Sequence, residues 1–261
     1  MACAAGIAIP AAFEMRYVDS RMSTTPKAAV QPFLSGGYFL AVPAARSESM
    51  NPELLPDRIL TASHCLVDLA PDTWGIVWTQ DSIESRRAAA AKFGVGEQGL
   101  REIMDWSTAA IDSGSLGWPN VFLNVETAIH FRARFLPVSA DTVVFGIALP
   151  ADLRDVFLAE TRPSAQDGTP GVVKALEANV TQDERGRLLG FDVLGWDYGF
   201  HSYICNGLET EFQRALGLTP NAHGFFATEQ EARQCAEHAG LETTAAEPAL
   251  WLPWKVVRYE W

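Results

Sequence analysis

Between Leu188 and Gly217 the apolar and polar positions follow two rhythms in succession. Leu189, Phe191 and Val193 alternate with Gly190, Asp192 and Leu194, a period near two that predicts a strand, and Gly195, Asp197 and Gly199 then mark a turn. From Tyr203 onward the apolar positions are Tyr203, Ile204, Leu208, Phe212, Ala215 and Leu216, the spacing of one helical face, with Gly217 as a left-handed stop. This strand, turn and helix are expected to bring Asp197, His201, Ser202, Cys205 and Asn206 to one helix start.

The same two periods divide the rest of the chain. Residues 37–42 read as a strand closed by Pro43, and 58–62 and 73–79 resume strand composition, the last with Trp74 and Trp78 on one face. Asp81-Ser82-Ile83-Glu84 reads as a capping box, with Asp81 as N-cap of a helix running to Gly94. Leu100, Ile103, Met104, Ser107, Ala110 and Ile111 predict a second helix ended by Gly114, before a turn at Gly117-Trp118-Pro119. Asn124 caps a third helix over 125–136. Residues 142–149 are almost continuously apolar, as a central strand covered on both faces would be. A short helix is expected over 150–160 and an exposed, mobile loop over 161–171. Thr228-Glu229-Gln230-Glu231 is a second capping box, for a helix to Gly240, and 251–261 is a final strand.

Helices and strands interleave without strict βα repetition. The predicted class is therefore α+β, a mixed or antiparallel sheet packed with about five to six helices, single-lobed or as two closely packed lobes. Residues 23–261 read as one domain with possible sub-lobes at 23–137 and 138–261. Residues 1–22 lack periodicity and end on a second candidate start at Met22, so they read as a disordered or mis-assigned extension.

Composition narrows the function classes. An apolar fraction of 48% with eight Trp and fourteen Phe excludes a disordered chain, and no run of eighteen apolar residues is present to span a bilayer. A formal charge of −12 repels phosphate backbones, so a nucleic-acid partner is not expected, and the acidic side chains clustered between Cys205 and Glu247 suit a basic protein partner or simply aid solubility. Cys3, Cys65, Cys205 and Cys235 are far apart, without a Cys-x-x-Cys pair, which implies free thiols, a cytoplasmic location and neither a zinc ribbon nor a disulfide framework. No cofactor is expected, glycine-rich phosphate loops being absent, and no metal, the His and Cys side chains reading first as caps and core residues.

Two short constellations could carry chemistry. Thr61-Ala62-Ser63-His64-Cys65 resembles the histidine motif of chymotrypsin-like serine proteases, and Asp112-Ser113-Gly114 echoes their nucleophile motif. The predicted helices between His64 and Ser113 contradict the two β-barrels that family requires. His201 and Cys205, four apart on the predicted helix with Asp197 on the preceding turn, form a candidate catalytic set; the alternatives are a metal pair, or a capping side chain beside a buried cysteine. Cys235 falls on an apolar stripe with Ala232, Ala236 and Ala239 and reads as core. Trp118 and Trp251, each near a proline, are candidate rims of a binding face.

Phe191-Asp-Val-Leu-Gly-Trp-Asp-Tyr-Gly-Phe-His-Ser-Tyr-Ile-Cys-Asn-Gly-Leu-Glu, with residues 216–232 and Glu247-Pro-Ala-Leu-Trp-Leu-Pro-Trp, resembles uncharacterised bacterial proteins and immunity-like proteins of toxin systems. The resemblance implies a protein-binding protein whose partner is toxin-like and basic, with the block from Trp196 to Glu209 as a fixed structural feature. The binding residues expected on this reading are Trp196, Asp197, His201, Asn206, Glu209, Trp251 and Trp254. The alternative is a hydrolase or transferase that uses Cys205 and His201.

Overall fold

A computed structural model describes residues 32–69, 82–138, 141–161 and 168–260. The extension expected at 1–22, the strand expected at 73–79, Asp81 and most of the loop expected at 161–171 lie outside the described residues.

The fold is α+β, built on an antiparallel sheet. Its strands are β1 (Phe33–Ala45), β2 (Arg58–Ile59), β3 (Val67–Leu69), β4 (Leu116–Gly117), β5 (Val121–Phe122), β6 (Val143–Pro150), β7 (Arg187–Trp196), β8 (Phe200–Ser202) and β9 (Leu250–Tyr259). They lie in the order β4-β5-β1-β6-β9-β7-β8, with β2 and β3 both paired to β1. The long β1–β6 pairing joins the halves that a boundary at 137/138 would separate.

Seven α-helices are present among the described residues, α1 (Ile83–Lys92), α2 (Glu97–Asp112), α3 (Val125–Phe135), α4 (Arg154–Glu160), α5 (Gly171–Glu177), α6 (Glu209–Leu216) and α7 (Glu229–Ala239). Strand alternation decides which helices each face receives. Phe39, Phe145, Ile147, Leu194 and Trp254 point to one side and pack with Phe157 of α4 and Val172 and Leu176 of α5. Tyr38, Leu40, Val144 and Val257 point to the other side, under α1, α2 and α3, while Phe191, Val193 and Trp251 on that side pack against α6 and α7. The central strand β6 is buried at every position, which is why its sequence is continuously apolar. Phe39 and Phe145, directly opposite in the β1–β6 register, stack with ring centroids 5.4 Å apart. Burying one such ring contributes about 2 kcal/mol.

Three sequence expectations are corrected. Ser82 rather than Asp81 caps α1, accepting from the Ser85 backbone N–H. The loop expected over 161–171 ends one residue earlier, because helix α5, which no sequence expectation placed, starts at Gly171 directly after Pro170, whose fixed φ suits the residue before a helix. Most consequentially, no helix begins at Tyr203. Phe200–Ser202 is strand, residues 203–207 are turns, and α6 starts only at Glu209. Gly207 takes a left-handed φ of 68°, which ends any helical continuation between Tyr203 and Leu208. The predicted stop at Gly217 is present, with φ 69°.

Candidate functional site

The β7–β8 hairpin supplies the frame of the candidate site. Trp196 pairs with Phe200, Gly195 with His201 and Leu194 with Ser202, and Asp197, Tyr198 and Gly199 form the connecting turn. The Asp197 N–H donates to the Gly199 carbonyl at 3.1 Å, and Tyr198 at the tip takes a φ of 58° with 72% of its surface exposed. A non-glycine residue in this left-handed region carries a backbone cost of about 1–2 kcal/mol. Alternation along β8 turns Phe200 and Ser202 into the core and leaves His201 half-buried on the opposite face.

His201 does not meet Cys205. Its Nδ1 lies 2.6 Å from Glu247 Oε2. Asn206 completes that contact from the following turn, with Nδ2 donating to Glu247 Oε2 at 3.3 Å and to the Ser202 carbonyl at 3.2 Å, and Oδ1 accepting from the Glu247 N–H at 2.8 Å. Asn206 therefore locks the segment before β9 onto the hairpin, and Glu247 holds the imidazole. The pairing of Glu247 with residues some forty positions earlier has no local signal in the sequence.

Cys205 meets this trio only through Asn206, whose Nδ2 donates to Sγ at 3.7 Å. Its Sγ donates to the Ser202 carbonyl at 3.0 Å and lies 3.9 Å from Ser63 Oγ. Burial pushes the thiol above its ordinary pKa, and the nearby Cys65 thiol adds to the shift. An imidazolium-activated thiolate requires the opposite direction. The helical His201/Cys205 pair expected from the sequence is therefore replaced by a His201–Glu247 contact and a Cys205 sulfur held by Ser202, Ser63 and Asn206, because the intervening residues are strand and turn.

The Thr61–Cys65 segment closes the site from below. Thr61 Oγ1 donates to Asp192 Oδ2 at 3.1 Å, and Asp192 Oδ1 accepts from the Val193 N–H at 2.8 Å. Desolvation pushes the wholly buried Asp192 carboxyl up to about 7, the two hydrogen bonds only partly opposing it. Ser63 is buried, whereas His64 and Cys65 are exposed and line an open depression of about 560 Å³ with Met50 and Leu66. Ser113, the other half of the protease-like motif, donates to the Ala110 carbonyl at the end of α2.

The remaining expected binding residues are core. Trp254 is fully buried, edge-on to Phe157 and Phe200 at 5.5 and 5.3 Å. Trp196 packs edge-on to Phe200 at 4.9 Å. Trp251 and Trp118 are buried rather than rim residues, and the Trp251 indole N–H donates to the Glu247 carbonyl at 3.1 Å. Glu209, expected on a surface, is 4% exposed in the first turn of α6, with Oε1 3.5 Å from the Asn51 N–H; the positive end of the helix dipole favours a carboxylate there. Sequence reasoning did not single out Tyr198, although Asp-Tyr-Gly after an apolar run is a turn signal.

Among the described residues, no group of three His, Cys, Asp or Glu side chains could hold a metal ion, and no helix is long and apolar enough to cross a membrane. The crevice between Phe39, Ala62, His64, Trp196 and Phe200 has a volume of about 10 Å³, room for no more than one water. The hairpin end thus offers an exposed aromatic tip and carboxylates rather than an enclosed reaction chamber. Comparison of the chain with protein-family models, with curated proteins and with solved structures found no match to any of them.

Proposed function

We propose that the chain is an immunity-like binding protein that recognises a basic, toxin-like protein through the end of the β7–β8 hairpin. The observation that carries this reading is Tyr198, a large aromatic side chain held in solvent at a backbone conformation that costs stability. Asp197 beside it is exposed, and Glu247 on the His201 side of the hairpin keeps 56% of its side chain in solvent. An aromatic anchor flanked by carboxylates, on a chain of net charge −12, suits a partner surface rich in Lys and Arg.

The alternative, a hydrolase or transferase built on Cys205 and His201, has less support. His201 is engaged by Glu247, and burial disfavours the Cys205 thiolate.

The test is calorimetric titration of the purified chain with the basic protein encoded by a neighbouring toxin gene. Tight binding that weakens at least tenfold in Tyr198→Ala, and weakens with added salt, supports the proposal. Absence of binding, or binding indifferent to Tyr198, overturns it.

A further inference from the structure

The fold brings together two cysteines that are 140 positions apart in sequence and lie on different elements. Ser63 is the link between them: its Oγ accepts from the Cys65 backbone N–H at 3.3 Å and lies 3.9 Å from Cys205 Sγ. The Cys65 backbone is therefore no farther from the Cys205 sulfur than those two contacts laid end to end. The charge of a Cys65 thiolate is felt at Cys205, which places the two sulfurs within electrostatic reach of one another. Cys65 is exposed at the edge of the open depression beside Met50 and Leu66, whereas Cys205 is half-buried behind it. Cys235, by contrast, is wholly buried on the core face of α7.

We propose that Cys65 and Cys205 form a reversible dithiol–disulfide pair, with exposed Cys65 as the attacking thiol, Cys205 as the resolving thiol and a low-molecular-weight disulfide as oxidant. In the first step the Cys65 thiolate attacks one sulfur of oxidised glutathione. A Cys65–glutathione bond forms, the glutathione disulfide bond breaks, and one glutathione thiolate leaves and takes up the proton that Cys65 gave to solvent. In the second step Cys205 loses its proton and attacks Cys65 Sγ, expelling the second glutathione. The protein gives up two electrons and two protons, and one glutathione disulfide becomes two thiols.

Closure requires Cys205 to leave the Ser202 carbonyl and the two α-carbons to come within roughly 4.4–6.8 Å. Cys65 sits on turn backbone between Ser63 and β3, and Cys205 on the turn before α6, so the movement falls on loops and leaves the sheet intact. The bond would tie the Thr61–Cys65 segment to the turn that carries Asn206 and, through it, Glu247.

The experiment treats the full reduced chain with oxidised glutathione, alkylates it without reduction and maps the peptides by mass spectrometry. The expected result is loss of two of the four thiols, a peptide pair joining Cys65 to Cys205, and no glutathione retained. Cys205→Ser should retain one glutathione on Cys65, Cys65→Ser should form neither adduct nor disulfide, and Cys235→Ser should behave as wild type. Dithiothreitol should restore the thiols. Stable glutathione on Cys65 in the wild type, a link from Cys65 to Cys3 or Cys235, or no loss of thiols would each overturn the proposal.

Discussion

Thr61 Oγ1 donates to Asp192 Oδ2 at 3.1 Å across 131 positions of sequence, and no basic side chain faces that carboxyl among the described residues. Burial raises the folded-state pKa from an ordinary 3.8 to about 7, so the folded chain holds a proton that the unfolded chain releases. The stabilisation from this proton is complete below about pH 4 and is lost as pH rises through 7, a swing on the order of 4 kcal/mol. Urea unfolding between pH 4 and 8.5 should show stability falling up to about pH 7 and levelling above it, and Asp192→Asn should remove most of that fall. An unchanged slope in the variant would place the titration elsewhere.

Replacing His201 with Ala removes the Glu247 contact but no contact to Cys205. Chemical denaturation should show a loss of about 1 kcal/mol, as expected for a partly exposed charged hydrogen bond. Iodoacetamide should label Cys205 slowly near neutral pH in both proteins, since burial keeps the thiol protonated. Rapid labelling in the wild type that disappears in the variant would revive the enzyme reading.

Tyr198→Gly separates fold from recognition. Glycine adopts the φ of 58° without the side-chain penalty, so the variant should be more stable by about 1 kcal/mol in urea. It should at the same time lose affinity for the basic partner. A destabilised variant would show that the ring packs on the hairpin and is not an idle anchor.

Both halves of the capping box at α7 are formed, Thr228 accepting from the Glu231 N–H at 3.2 Å and Glu231 from the Thr228 N–H at 3.0 Å. Thr228→Ala should cost about 1 kcal/mol. Because α7 lies over β7 and β9, the loss should appear in global unfolding and not as fraying of one helix end.

The elements that were legible in the sequence are those whose signal is local. The apolar run of β6, the Asn124 cap of α3 and the Thr228 capping box are each set by neighbouring residues. The stretch from Tyr203 to Leu208 deceived because Tyr203, Ile204, Leu208 and Phe212 are all buried in one cluster, as one helical face would be. They reach it through a turn, and the signal that reveals the turn is Asn206-Gly207. That misread element carried the supposed His201/Cys205 pair with it. The contacts that define the site, Glu247 to His201, Thr61 to Asp192 and Ser63 to Cys205, join positions 46 to 142 residues apart, where no periodicity operates.

Strand β9 lies between β6 and β7, yet it follows every other described element in the chain. A ribosome therefore delivers the two flanks of the sheet long before the strip that joins them. β1 and β6 can pair early, and so can β7 and β8, but each partial sheet then presents a bare inner edge and half-covered aromatic faces. The nascent chain has to wait with these surfaces open, which makes the interval before residues 250–259 emerge the time of greatest exposure to aggregation and to chaperone capture.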